Sequence, residues 1–354
     1  MINCFNKARV IIKESVDNNL VPGICFALVG KDENYSYCYG NKSLVPQKEK
    51  LTDDTIYDIA SLSKVVGTST MLSKLMEEGL IHFEDKVSDI LDDFPYKDIT
   101  ILNLTCHTSG YPADDKDYKK CQNKQELWSF IKSLKLTYKT GTAVEYSCFN
   151  YIILGRIIER FKGSLQEYAS EVLFKPLQSD NIMYNPKEFN KQDKCAPTEV
   201  TQARGIIKGE VHDGKAYING GQSGNAGLFS DLETLTRFTS MMLNDGIYES
   251  YPVLNKESMD RFKKCYTVGL NQSRTMGGWF FGDKNTSAGE LVSDVSLYHT
   301  GFTGTSIYID YKRQLGIVVL SNAIHPTRDH KMNDIRKLLH EEILKEFDKE
   351  KNPD

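Results

Sequence analysis

The amino-acid sequence predicts an α+β fold, in which one antiparallel sheet is flanked by the N- and C-terminal helices and carries an inserted helical domain. Three observations lead to this prediction. Strand-like pairs lie near both ends of the chain, amphipathic helical patterns lie outside those pairs, and the middle is rich in helical patterns and loops. Strands near both ends combine most simply in one shared sheet. We therefore expect residues 1–80 and 226–354 to form the sheet domain and residues 81–225 the mostly helical lobe.

The N-terminal part of the chain has the pattern of one helix followed by a hairpin. Residues 6–18 place apolar side chains at helical spacing. Two strand-like runs follow, at residues 23–29 and 35–39, with a polar turn between them. A polar turn between two such runs is typical of a β-hairpin.

The C-terminal part mirrors this arrangement. Residues 305–309 and 316–321 are strand-like and are joined by a polar turn at residues 310–315. The last helix is predicted over residues 333–347, which carry apolar side chains on one face. Both ends of the chain therefore offer strands to the sheet and a helix to cover it.

The composition is that of a globular protein and limits the class of partner. The 354 residues are 40% apolar and 26% charged, and 44 Lys and Arg against 48 Asp and Glu leave a net charge of −4. A mildly acidic chain has no general attraction for nucleic acid or anionic lipid. The apolar run at residues 316–320 is far shorter than the roughly 20 residues that a membrane span needs. We therefore expect neither nucleic acid as a partner nor a membrane span.

The cysteines and the N-terminus favour a reducing compartment. The eight cysteines include no CxxC pair, so neither a zinc ribbon nor a thioredoxin-type site is indicated. Eight cysteines in a chain of this length do not make a disulfide framework, and we expect buried or free thiols. Charged residues between positions 7 and 17 interrupt the apolar stretch that a signal peptide needs. We expect a cytoplasmic protein, or an exported one if a leader has been removed.

A serine and a lysine one helical turn apart are the first candidate catalytic pair. Ser61 follows a strand-like stretch, and Lys64 enters a helical pattern that ends at Gly79. The i, i+3 spacing puts both side chains on one helix face. A serine hydroxyl becomes nucleophilic when a neighbouring base takes its proton, and a desolvated lysine can be that base. The helix N-terminus adds backbone N–H groups that stabilise an anionic intermediate.

A tyrosine at the start of a second apolar helix is the next candidate. Tyr146 is followed by Ser147 and Cys148, and residues 151–158 continue as an apolar helix. An unperturbed tyrosine has a pKa of about 10, and a lysine cation nearby makes its phenolate more accessible. Lys64 and Tyr146 can therefore share the task of general base.

A His-Thr-Gly segment precedes one of the C-terminal strands. It consists of His299, Thr300 and Gly301 and leads into the predicted strand at 305–309. A glycine there lets a substrate backbone approach the strand edge closely. The N–H of Phe302 can then be the second donor of an oxyanion hole.

In this order, the three motifs resemble those of the serine β-lactamase and penicillin-binding protein superfamily. A Tyr-x-Asn second motif marks its branch of class C β-lactamases, D-aminopeptidases and esterases. Residues 104–112 (LTCHTSGYP) resemble a loop of the same branch, and residues 302–305 and 309–310 resemble its third-motif strand. The resemblance covers about residues 23–326, most of the chain.

The resemblance implies a β-lactamase/transpeptidase-like fold and a role for each matching residue. Ser61 is the expected acylated nucleophile. Lys64 and Tyr146 are the expected general base, which later protonates the leaving group. The backbone N–H groups of Ser61 and Phe302 are expected to form the oxyanion hole. His299 is expected to help bind an acidic group or to tune the tyrosine.

The substrate-binding residues include one departure from the family. Thr300, Gly301 and Cys148 are expected to line the substrate site together with His299. Cys148 stands where the family has an Asn whose amide contacts the substrate's acylamino group. A thiol is a weak hydrogen-bond donor and replaces an amide poorly. This departure disfavours β-lactam-type substrates more than it disfavours acyl transfer itself.

Two segments repeat a motif out of context. Ser129 and Lys132 also have the Ser-x-x-Lys spacing, and we interpret them as an ordinary helix face. Residues 139–141 (KTG) match the third motif letter for letter, but they precede Tyr146 instead of following it. We interpret them as a turn, and His299 is the better candidate.

Other segments suggest a subgroup and two alternative sites. Residues 196–199, 211–213 and 221–230 resemble a subgroup that includes muramoyl-alanine amidases, although Asn225 stands where that subgroup is expected to have His.

The glycines between 220 and 227 lack the strand–turn–helix context of a phosphate loop, so a cleft-lining loop is favoured. The group of His325, Asp329 and His330 can bind a metal, but a solvated loop is favoured because the spacing does not demand a site.

Three functions are open at this point. The first is a serine hydrolase of an ester or amide, such as a small ester, a D-amino-acid peptide or a cell-wall fragment, which needs no cofactor and no metal. The second is a β-lactamase or penicillin-binding protein (D,D-carboxypeptidase), which would need export. The third is a non-catalytic peptidoglycan-binding or sensor domain. The intact Ser61, Lys64 and Tyr146 disfavour the third, and the lack of a visible leader disfavours the second. A small-molecule or peptide substrate is the expected partner, and the oligomeric state is left open.

Overall fold

A seven-stranded antiparallel sheet, built from both ends of the chain, is the frame of the computed structural model, which describes residues 1–351. The strands are β1 (Gly23–Val29), β2 (Asn34–Ser43), β3 (Glu49–Lys50), β4 (Tyr57–Asp58), β5 (Ile182–Tyr184), β6 (Val200–Thr201), β7 (Gly205–Ile206), β8 (Leu228–Ser230), β9 (Ile247–Tyr248), β10 (Tyr251–Pro252), β11 (Phe280–Phe281), β12 (Ser296–Thr300), β13 (Ser306–Asp310) and β14 (Leu315–Leu320). The strand order of the large sheet is β11-β12-β13-β14-β1-β2-β3. Because β1 pairs with β14, the two ends of the chain meet in the middle of the sheet. The predicted fold class and both predicted strand pairs are confirmed.

Helices cover both faces of this sheet and form most of the remaining structure. They are α1 (Ile2–Asp17), α2 (Ser69–Glu77), α3 (Val87–Ile90), α4 (Ile101–Thr105), α5 (Lys124–Ser133), α6 (Cys148–Lys162), α7 (Leu165–Ala169), α8 (Gly214–Ile218), α9 (Leu232–Leu243), α10 (Lys256–Phe262) and α11 (Met332–Lys351). The shorter π-helical and 3₁₀ turns are Lys64–Thr68, Lys116–Lys120, Ser170–Phe174, Pro186–Phe189, Gln192–Lys194 and Met276–Gly278. None of the helices within residues 1–351 is both long and apolar enough to cross a lipid bilayer.

The terminal helices are longer than their apolar patterns predict. Helix α1 begins at Ile2 instead of residue 6, and α11 continues to Lys351 instead of residue 347. The two helices pack side by side, and the amino group of Met1 donates a hydrogen bond to a Glu350 carboxylate oxygen at 2.8 Å. This polar contact joins the ends of the helices beyond the apolar stripe, where hydrophobic periodicity carries no signal.

Alternate residues of the sheet belong to two cores, because successive side chains of a strand point to opposite faces. Phe26 and Ile317 face the core that α1 and α11 cover. Ala27 and Val318 face the core that includes residues of α2, α6 and α9. The second core is continuous from the sheet into the helical region, and the segments that carry Ser61, Lys64 and Tyr146 lie along it. The division into residues 1–80 with 226–354 and residues 81–225 stays a prediction.

The expectation of free thiols is wrong for one pair of cysteines. Cys25 and Cys38 stand directly opposite each other in the β1–β2 register, with their Cα atoms 4.1 Å apart, and they form a disulfide. The antiparallel pairing brings them together although 13 positions separate them. The cysteines that do carry free thiols are Cys4, Cys106, Cys121, Cys148, Cys195 and Cys265.

Candidate active site

Ser61 lies in the turn between β4 and the helical segment that leads into α2. Ala60, immediately before it, has a φ of +48°, which turns the backbone sharply in the left-handed region. The N–H of Lys64 donates to the carbonyl of Ser61 at 3.1 Å, and Lys64 begins the π-helical turn Lys64–Thr68. Ser61 therefore stands at the start of a helical segment, as its sequence context predicts.

The Lys64 side chain is buried and points back at Ser61. Its Nζ donates to Ser61 Oγ at 2.9 Å and to the carbonyl of Asn225 at 2.8 Å. Within residues 1–351, no carboxylate lies within ion-pair distance of this ammonium group. Its hydrogen-bond partners are therefore a hydroxyl and a carbonyl, and neither carries a full charge.

Tyr146 contacts the same hydroxyl. Its Oη donates to Ser61 Oγ at 2.8 Å, and its ring centroid lies 5.0 Å from Lys64 Nζ. The position of Tyr146 follows from the start of α6, where the Ser147 hydroxyl accepts the N–H of Phe149 and caps the helix. The structure thus brings Ser61, Lys64 and Tyr146 together at one oxygen atom.

Lys64 and Tyr146 influence each other's protonation. Burial raises the pKa of Tyr146, while the charge of Lys64 and the hydrogen bonds to Lys64 and Ser61 act against that rise. Burial lowers the pKa of Lys64, but nearby Cys148 and Tyr146 outweigh it, so the pKa of Lys64 is raised overall. At neutral pH the resting pair is therefore a lysine cation beside a neutral tyrosine, with the phenolate as the form that the cation favours.

The two predicted oxyanion-hole donors are free to bind a ligand. Neither the N–H of Ser61 nor that of Phe302 donates a hydrogen bond to any atom of residues 1–351. The loop that carries Phe302 is fastened to the segment before Ser61, because Thr303 Oγ1 donates to the carbonyl of Asp58 at 2.7 Å and Thr305 Oγ1 to that of Ile59 at 3.1 Å. The two free N–H groups therefore belong to segments that are tied together.

His299 lies at the end of β12 and is buried, with 3% of its surface exposed. Its Nδ1 is 2.9 Å from the carbonyl of Thr300, so Nδ1 carries the proton of the neutral ring. Burial, followed by the charges of Arg274 and Lys64, holds the pKa of His299 well below its ordinary value. The imidazole of His299 is therefore neutral at physiological pH, and its two expected roles, binding an acidic group or tuning the tyrosine, stay predictions. Its ring centroid lies 6.0 Å from that of Tyr146, so the interaction with the tyrosine remains.

Gly301 lies in close contact with the chain itself. A Cβ on Gly301 would lie 2.1 Å from Thr305 Oγ1 and 2.5 Å from the carbonyl oxygen of Ile59. The segment before Ser61 therefore approaches this glycine closely, and the approach of a substrate at Gly301 stays a prediction. Thr300 is partly exposed, and its hydroxyl makes no hydrogen bond to the described residues, which leaves it available to a ligand.

Cys148, the departure from the family motif, is the first residue of α6 and is partly exposed as a free thiol. Burial lowers the pKa of the Lys64 and Lys215 ammonium groups. Nearby groups outweigh burial, so the pKa of both lysines is raised overall, and Cys148 has the largest effect among those nearby groups. The thiol therefore lies near enough to both ammonium groups to influence their pKa.

A cleft of about 460 Å³ opens above Ser61. Its outer side consists of charged and aromatic residues, which we call the outer wall: Asp114, Glu199, Arg204, His212, Phe302 and Arg328. The cations of this wall are paired with carboxylates. Arg328 donates to both oxygens of Glu199 at 2.9 and 2.8 Å, and Arg204 donates to Glu210 at 3.1 and 2.5 Å. The Phe302 ring is 55% exposed and stacks on His212 with 5.5 Å between ring centroids.

The inner side of the site, which we call the inner wall, consists of Lys64, His107, Tyr146, Arg274 and His299. Only Tyr146 is partly exposed, and the other four are buried. His107 Nδ1 accepts the N–H of Ser147 at 3.2 Å, and the His107 ring centroid lies 4.6 Å from that of Tyr146. His107 therefore supports the segment that holds Tyr146.

Sequence reasoning missed the contributions of Asn225 and His107. Asn225 accepts the Lys64 ammonium with its carbonyl and donates from its side chain to Asp213 Oδ1 at 3.0 Å. The segments of both residues stood out in the sequence by their resemblance to family members, at 221–230 and 104–112. The signal was therefore present, but it carried no indication of which atoms would face Lys64 and Tyr146.

The repeated motifs lie away from the site, as expected. Ser129 is exposed on α5, and Lys132 forms an ion pair with Asp93 at 2.5 Å. Residues 139–141 form a turn in which Gly141 has a φ of +82°. His325 departs from the expected solvated loop: it is buried, its Nε2 accepts the N–H of Leu44 at 3.0 Å, and its Nδ1 contacts the carbonyl of Thr198. No cluster of three or more His, Cys, Asp or Glu side chains suited to a metal occurs within residues 1–351.

A family model described as Beta-lactamase matches residues 8–342. The chain belongs to the β-lactamase family. An Escherichia coli K12 protein named "Putative D-alanyl-D-alanine carboxypeptidase" is 32% identical over 332 aligned residues, which cover 83% of this chain and 75% of the relative. A Bacillus subtilis protein named "N-acetylmuramyl-L-alanine amidase" is 30% identical over 330 aligned residues, which cover 82% of this chain and 73% of the relative. The chain is thus a serine hydrolase of this family, as the three motifs predict.

Solved structures share the fold at low sequence identity. Simvastatin synthase from Aspergillus terreus has a TM-score of 0.77 at 18% identity, with 97% of this chain and 98% of that chain covered. An octameric penicillin-binding protein homologue from Pyrococcus abyssi has a TM-score of 0.75 at 20% identity, with 94% and 76% covered. These likenesses confirm the β-lactamase/transpeptidase-like fold.

Proposed function

We propose that this β-lactamase-family hydrolase transfers the acyl group of an ester or amide to Ser61 and then to water. The observation that carries the proposal is the pair of hydrogen bonds to Ser61 Oγ, from Lys64 Nζ at 2.9 Å and from Tyr146 Oη at 2.8 Å, at the base of a cleft of about 460 Å³. A nucleophile held by two groups that can share a proton is the arrangement that nucleophilic catalysis needs.

In the first step, Ser61 Oγ forms a bond to the carbonyl carbon of the substrate. Its proton passes to the Lys64–Tyr146 pair, which acts as base once it has lost one proton. Because the two groups are coupled, the apparent pKa for the loss of that proton is a property of the pair. The electron pair of the carbonyl moves to oxygen, where the N–H groups of Ser61 and Phe302 stabilise the negative charge.

In the second step, the carbonyl re-forms and the bond to the leaving group breaks. The pair returns its proton to the leaving alcohol or amine, which leaves an ester of Ser61. Water then attacks that ester with the same base and the same oxyanion donors, and the acid product is released. His299 acts in this scheme as a neutral neighbour that tunes Tyr146, while Thr300 and Cys148 line the substrate site.

The substrate class follows from the relatives and from the cleft. A relative named as an N-acetylmuramyl-L-alanine amidase and one whose name includes D-alanyl-D-alanine carboxypeptidase support a cell-wall fragment or D-amino-acid peptide as substrate. Paired charges and an exposed Phe302 ring in the outer wall suit a ligand that has both polar groups and an apolar face. Small activated esters serve as generic substrates for the same acyl transfer.

The second candidate function is that of a D,D-carboxypeptidase or penicillin-binding protein. The name of the E. coli relative favours it. Cys148 in place of the family's Asn disfavours substrates that need an amide contact to their acylamino group. This candidate differs from the first in its products, because a carboxypeptidase releases a single terminal D-alanine.

Location and partners complete the proposal. Free thiols at the remaining cysteines support a reducing compartment, whereas the Cys25–Cys38 disulfide supports an oxidising one. We keep the cytoplasm as the proposed location, with a small-molecule or peptide substrate and no nucleic-acid partner. Thiol labelling of protein from lysed cells checks this: Cys25 and Cys38 in their reduced form support the cytoplasm, and a bridged pair contradicts it.

A parallel substrate panel tests the function. p-Nitrophenyl acetate, D-alanine p-nitroanilide, a muropeptide with a terminal D-alanyl-D-alanine and nitrocefin are each assayed with the wild-type protein and with Ser61→Ala. Ester or amide turnover that Ser61→Ala abolishes supports the proposal. Release of D-alanine or rapid nitrocefin turnover as the main activity selects the second candidate, and no Ser61-dependent turnover of any of the four contradicts both.

A further inference from the structure

Arg274 is a buried charge that the proposed mechanism does not use. Its side chain is 1% exposed, and it lies on the segment that precedes β11. The guanidinium carbon is 5.9 Å from the ring centroid of Tyr146 and 3.6 Å from that of Phe280. Arg274 therefore stands close to Tyr146, as the second cation of the inner wall after Lys64.

The hydrogen-bond partners of Arg274 are all neutral. Nη1 donates to the carbonyl of Gly278 at 2.6 Å, and Nη2 and Nε donate to Gln272 Oε1 at 2.8 and 3.3 Å. Within residues 1–351, no carboxylate lies within ion-pair distance of the guanidinium, in contrast to Arg313, which pairs with Asp310 and Asp348. Burying a charge without a counter-ion destabilises a protein strongly, so this charge needs an explanation.

A purely structural role explains the hydrogen bonds but not the charge. The donors hold the turn Met276–Gly278, and Gly278 packs against His107 and Tyr151 so closely that a Cβ would lie 3.0 Å from His107 Nε2. Neutral amide side chains could supply such donors at lower cost. The positive charge therefore suits an anion that appears only during the reaction.

Among the ionisable groups around Arg274, Tyr146 is the one that contacts Ser61 Oγ and can become an anion during the reaction. The groups that face Tyr146 or Arg274 from the surrounding elements are Lys64, Cys106, His107, Cys148, Tyr151, Asp283 and His299. Lys64 is a cation, and both histidines are neutral, since burial first and Arg274 next hold their pKa well below the ordinary value. Burial raises the pKa of Cys106 to about 12 and that of Tyr151 well above 10, so neither is an anion at neutral pH. Burial lowers the pKa of Arg274 to about 10. The charge of Asp283 acts against that shift, but Asp283 forms no ion pair with Arg274.

We propose that Arg274 is a positioning residue for the general base, whose charge stabilises the Tyr146 phenolate that accepts the Ser61 proton. The inference rests on the acyl-transfer function proposed above. As Ser61 Oγ bonds to the carbonyl carbon, its proton moves to the phenolate oxygen of Tyr146, and the carbonyl electron pair moves to the oxyanion. When the leaving group departs, Tyr146 returns the proton and becomes phenolate again, between Lys64 and Arg274.

The pH dependence of kcat/KM for p-nitrophenyl acetate tests this role with two neutral variants and one charged variant. Arg274→Gln keeps hydrogen-bond donors, and Arg274→Met keeps side-chain volume, but both remove the charge. A unit charge at roughly 6 Å and an effective dielectric constant of about 20 shifts a pKa by about one unit or more. We therefore expect the rising acidic limb to move up by at least about one pH unit in the neutral variants. Arg274→Lys retains the charge and restores the limb.

A second readout isolates Tyr146 from the histidines that Arg274 also influences. The near-ultraviolet phenolate absorbance of each protein is titrated, and that of its Tyr146→Phe counterpart is subtracted. The difference titrates at higher pH in the neutral variants than in the wild-type protein. Arg237→Met is the matched control, because Arg237 lies on α9 and donates to the carbonyls of Leu177 and Gln178, away from the cleft. We expect no shift in either readout for this control.

The outcomes separate the two proposals. Labelling of Ser61 by a fluorophosphonate shows that the acyl-transfer function holds. If, in addition, a folded Arg274→Gln or Arg274→Met variant shifts neither the pH profile of kcat/KM nor the phenolate titration, Arg274 has only a structural role and the inference is overturned. Activity that falls equally at every pH also overturns the inference. If wild-type Ser61 is not labelled, the acyl-transfer function itself fails. A shift in both readouts that Arg274→Lys reverses supports the inference.

Discussion

The outer wall of the cleft and the mostly buried inner wall of the site treat charge in opposite ways. In the outer wall, Arg328 and Arg204 are paired with Glu199 and Glu210. In the inner wall, Lys64 and Arg274 are buried, and their hydrogen-bond partners are hydroxyl, carbonyl and amide oxygens. Preorganised positive charge in a dry site stabilises the negative charge that develops during acyl transfer. We therefore expect the inner wall to control the chemical step and the outer wall to control how substrate is held.

The largest expected effect comes from the inner wall. Lys64→Met and Tyr146→Phe each remove one of the two hydrogen bonds to Ser61 Oγ. We expect each to lower kcat/KM by about 10²–10⁴-fold, measured with p-nitrophenyl acetate. The double variant should lose little more than either single one, because residues that act as a unit fail together.

A matched control for these variants exists in the repeated motif on α5. Lys132 has the same spacing to Ser129, but it pairs with Asp93 on the surface. Lys132→Met should leave kcat/KM unchanged. Near-normal activity of Lys64→Met or Tyr146→Phe would show that the base has been assigned wrongly.

The next effect compares the glycines of the two Thr-Gly pairs, Gly301 and Gly141. Gly301→Ala would place a Cβ 2.1 Å from Thr305 Oγ1, so the loop with the Phe302 N–H must shift. A displacement of about 1 Å at a catalytic group can cost about 100-fold in rate, and we expect a loss of that order in kcat. Gly141→Ala meets no atom within 4 Å but has a φ of +82°.

For Gly141→Ala we therefore expect a loss of stability without a loss of activity. It should lower the free energy of unfolding by about 1–2 kcal/mol, because the left-handed region disfavours a Cβ, and leave kcat unchanged. Urea unfolding and steady-state kinetics on both variants check the pair. Equal kcat values for Gly301→Ala and the wild-type protein would show that the Phe302 N–H is not a donor of the oxyanion hole.

A smaller effect concerns the buried histidine of the inner wall. The pKa of His299 is held well below its ordinary value by burial and then by Arg274 and Lys64, so the folded protein keeps it neutral. The unfolded chain protonates this histidine below about pH 6.5. The unfolded state then binds more protons, and the free energy of unfolding falls as the pH drops.

For His299 alone this slope amounts to about 1.4 kcal/mol per pH unit below about pH 6. His299→Gln should therefore show a shallower loss of stability between pH 6.5 and pH 5, measured by urea unfolding. The control His82→Gln changes an exposed side chain and should keep the wild-type slope. An unchanged slope for His299→Gln would mean that His299 is protonated in the folded protein.

The smallest effect belongs to the outer wall. Arg328 has a side chain that is 60% exposed, and its pair with Glu199 is therefore screened by water. Arg328→Ala should change the free energy of unfolding by less than about 1 kcal/mol. We expect a several-fold change in KM and little change in kcat, and a large loss of kcat would show that the outer wall takes part in the chemistry.

Local sequence patterns predicted the sheet, and the structure brings together the three side chains that they singled out, Ser61, Lys64 and Tyr146. The hairpin at β1 and β2 follows from two strand-like runs around a polar turn, and Ser61 with Lys64 follows from spacing on a helix. The Cys25–Cys38 bridge was missed, although both cysteines lie in the predicted hairpin, because their pairing depends on the register of the two strands. A register is set by turn geometry, which the sequence indicates only in outline.

The inner wall beyond the motifs could not be predicted, for a different physical reason. Arg274 reaches Tyr146 only after β11, β12 and α6 have packed against one another, and nothing in the letters around Arg274 distinguishes it from a surface arginine. His299 was predicted to be at the site, but its neutral state depends on complete burial and on the charge of Arg274. Distances between segments remote in sequence decide these properties, and periodicity carries no information about them.

The central claim is that Ser61 is the acylated nucleophile, and intact mass spectrometry after reaction with a fluorophosphonate tests it most directly. The wild-type protein and Ser129→Ala, which alters the serine of the repeated motif, should each gain the mass of a single adduct. Ser61→Ala should gain none, with Tm and circular dichroism showing that it remains folded. An adduct that persists in Ser61→Ala, or a wild-type protein that gains no mass at all, would contradict the claim.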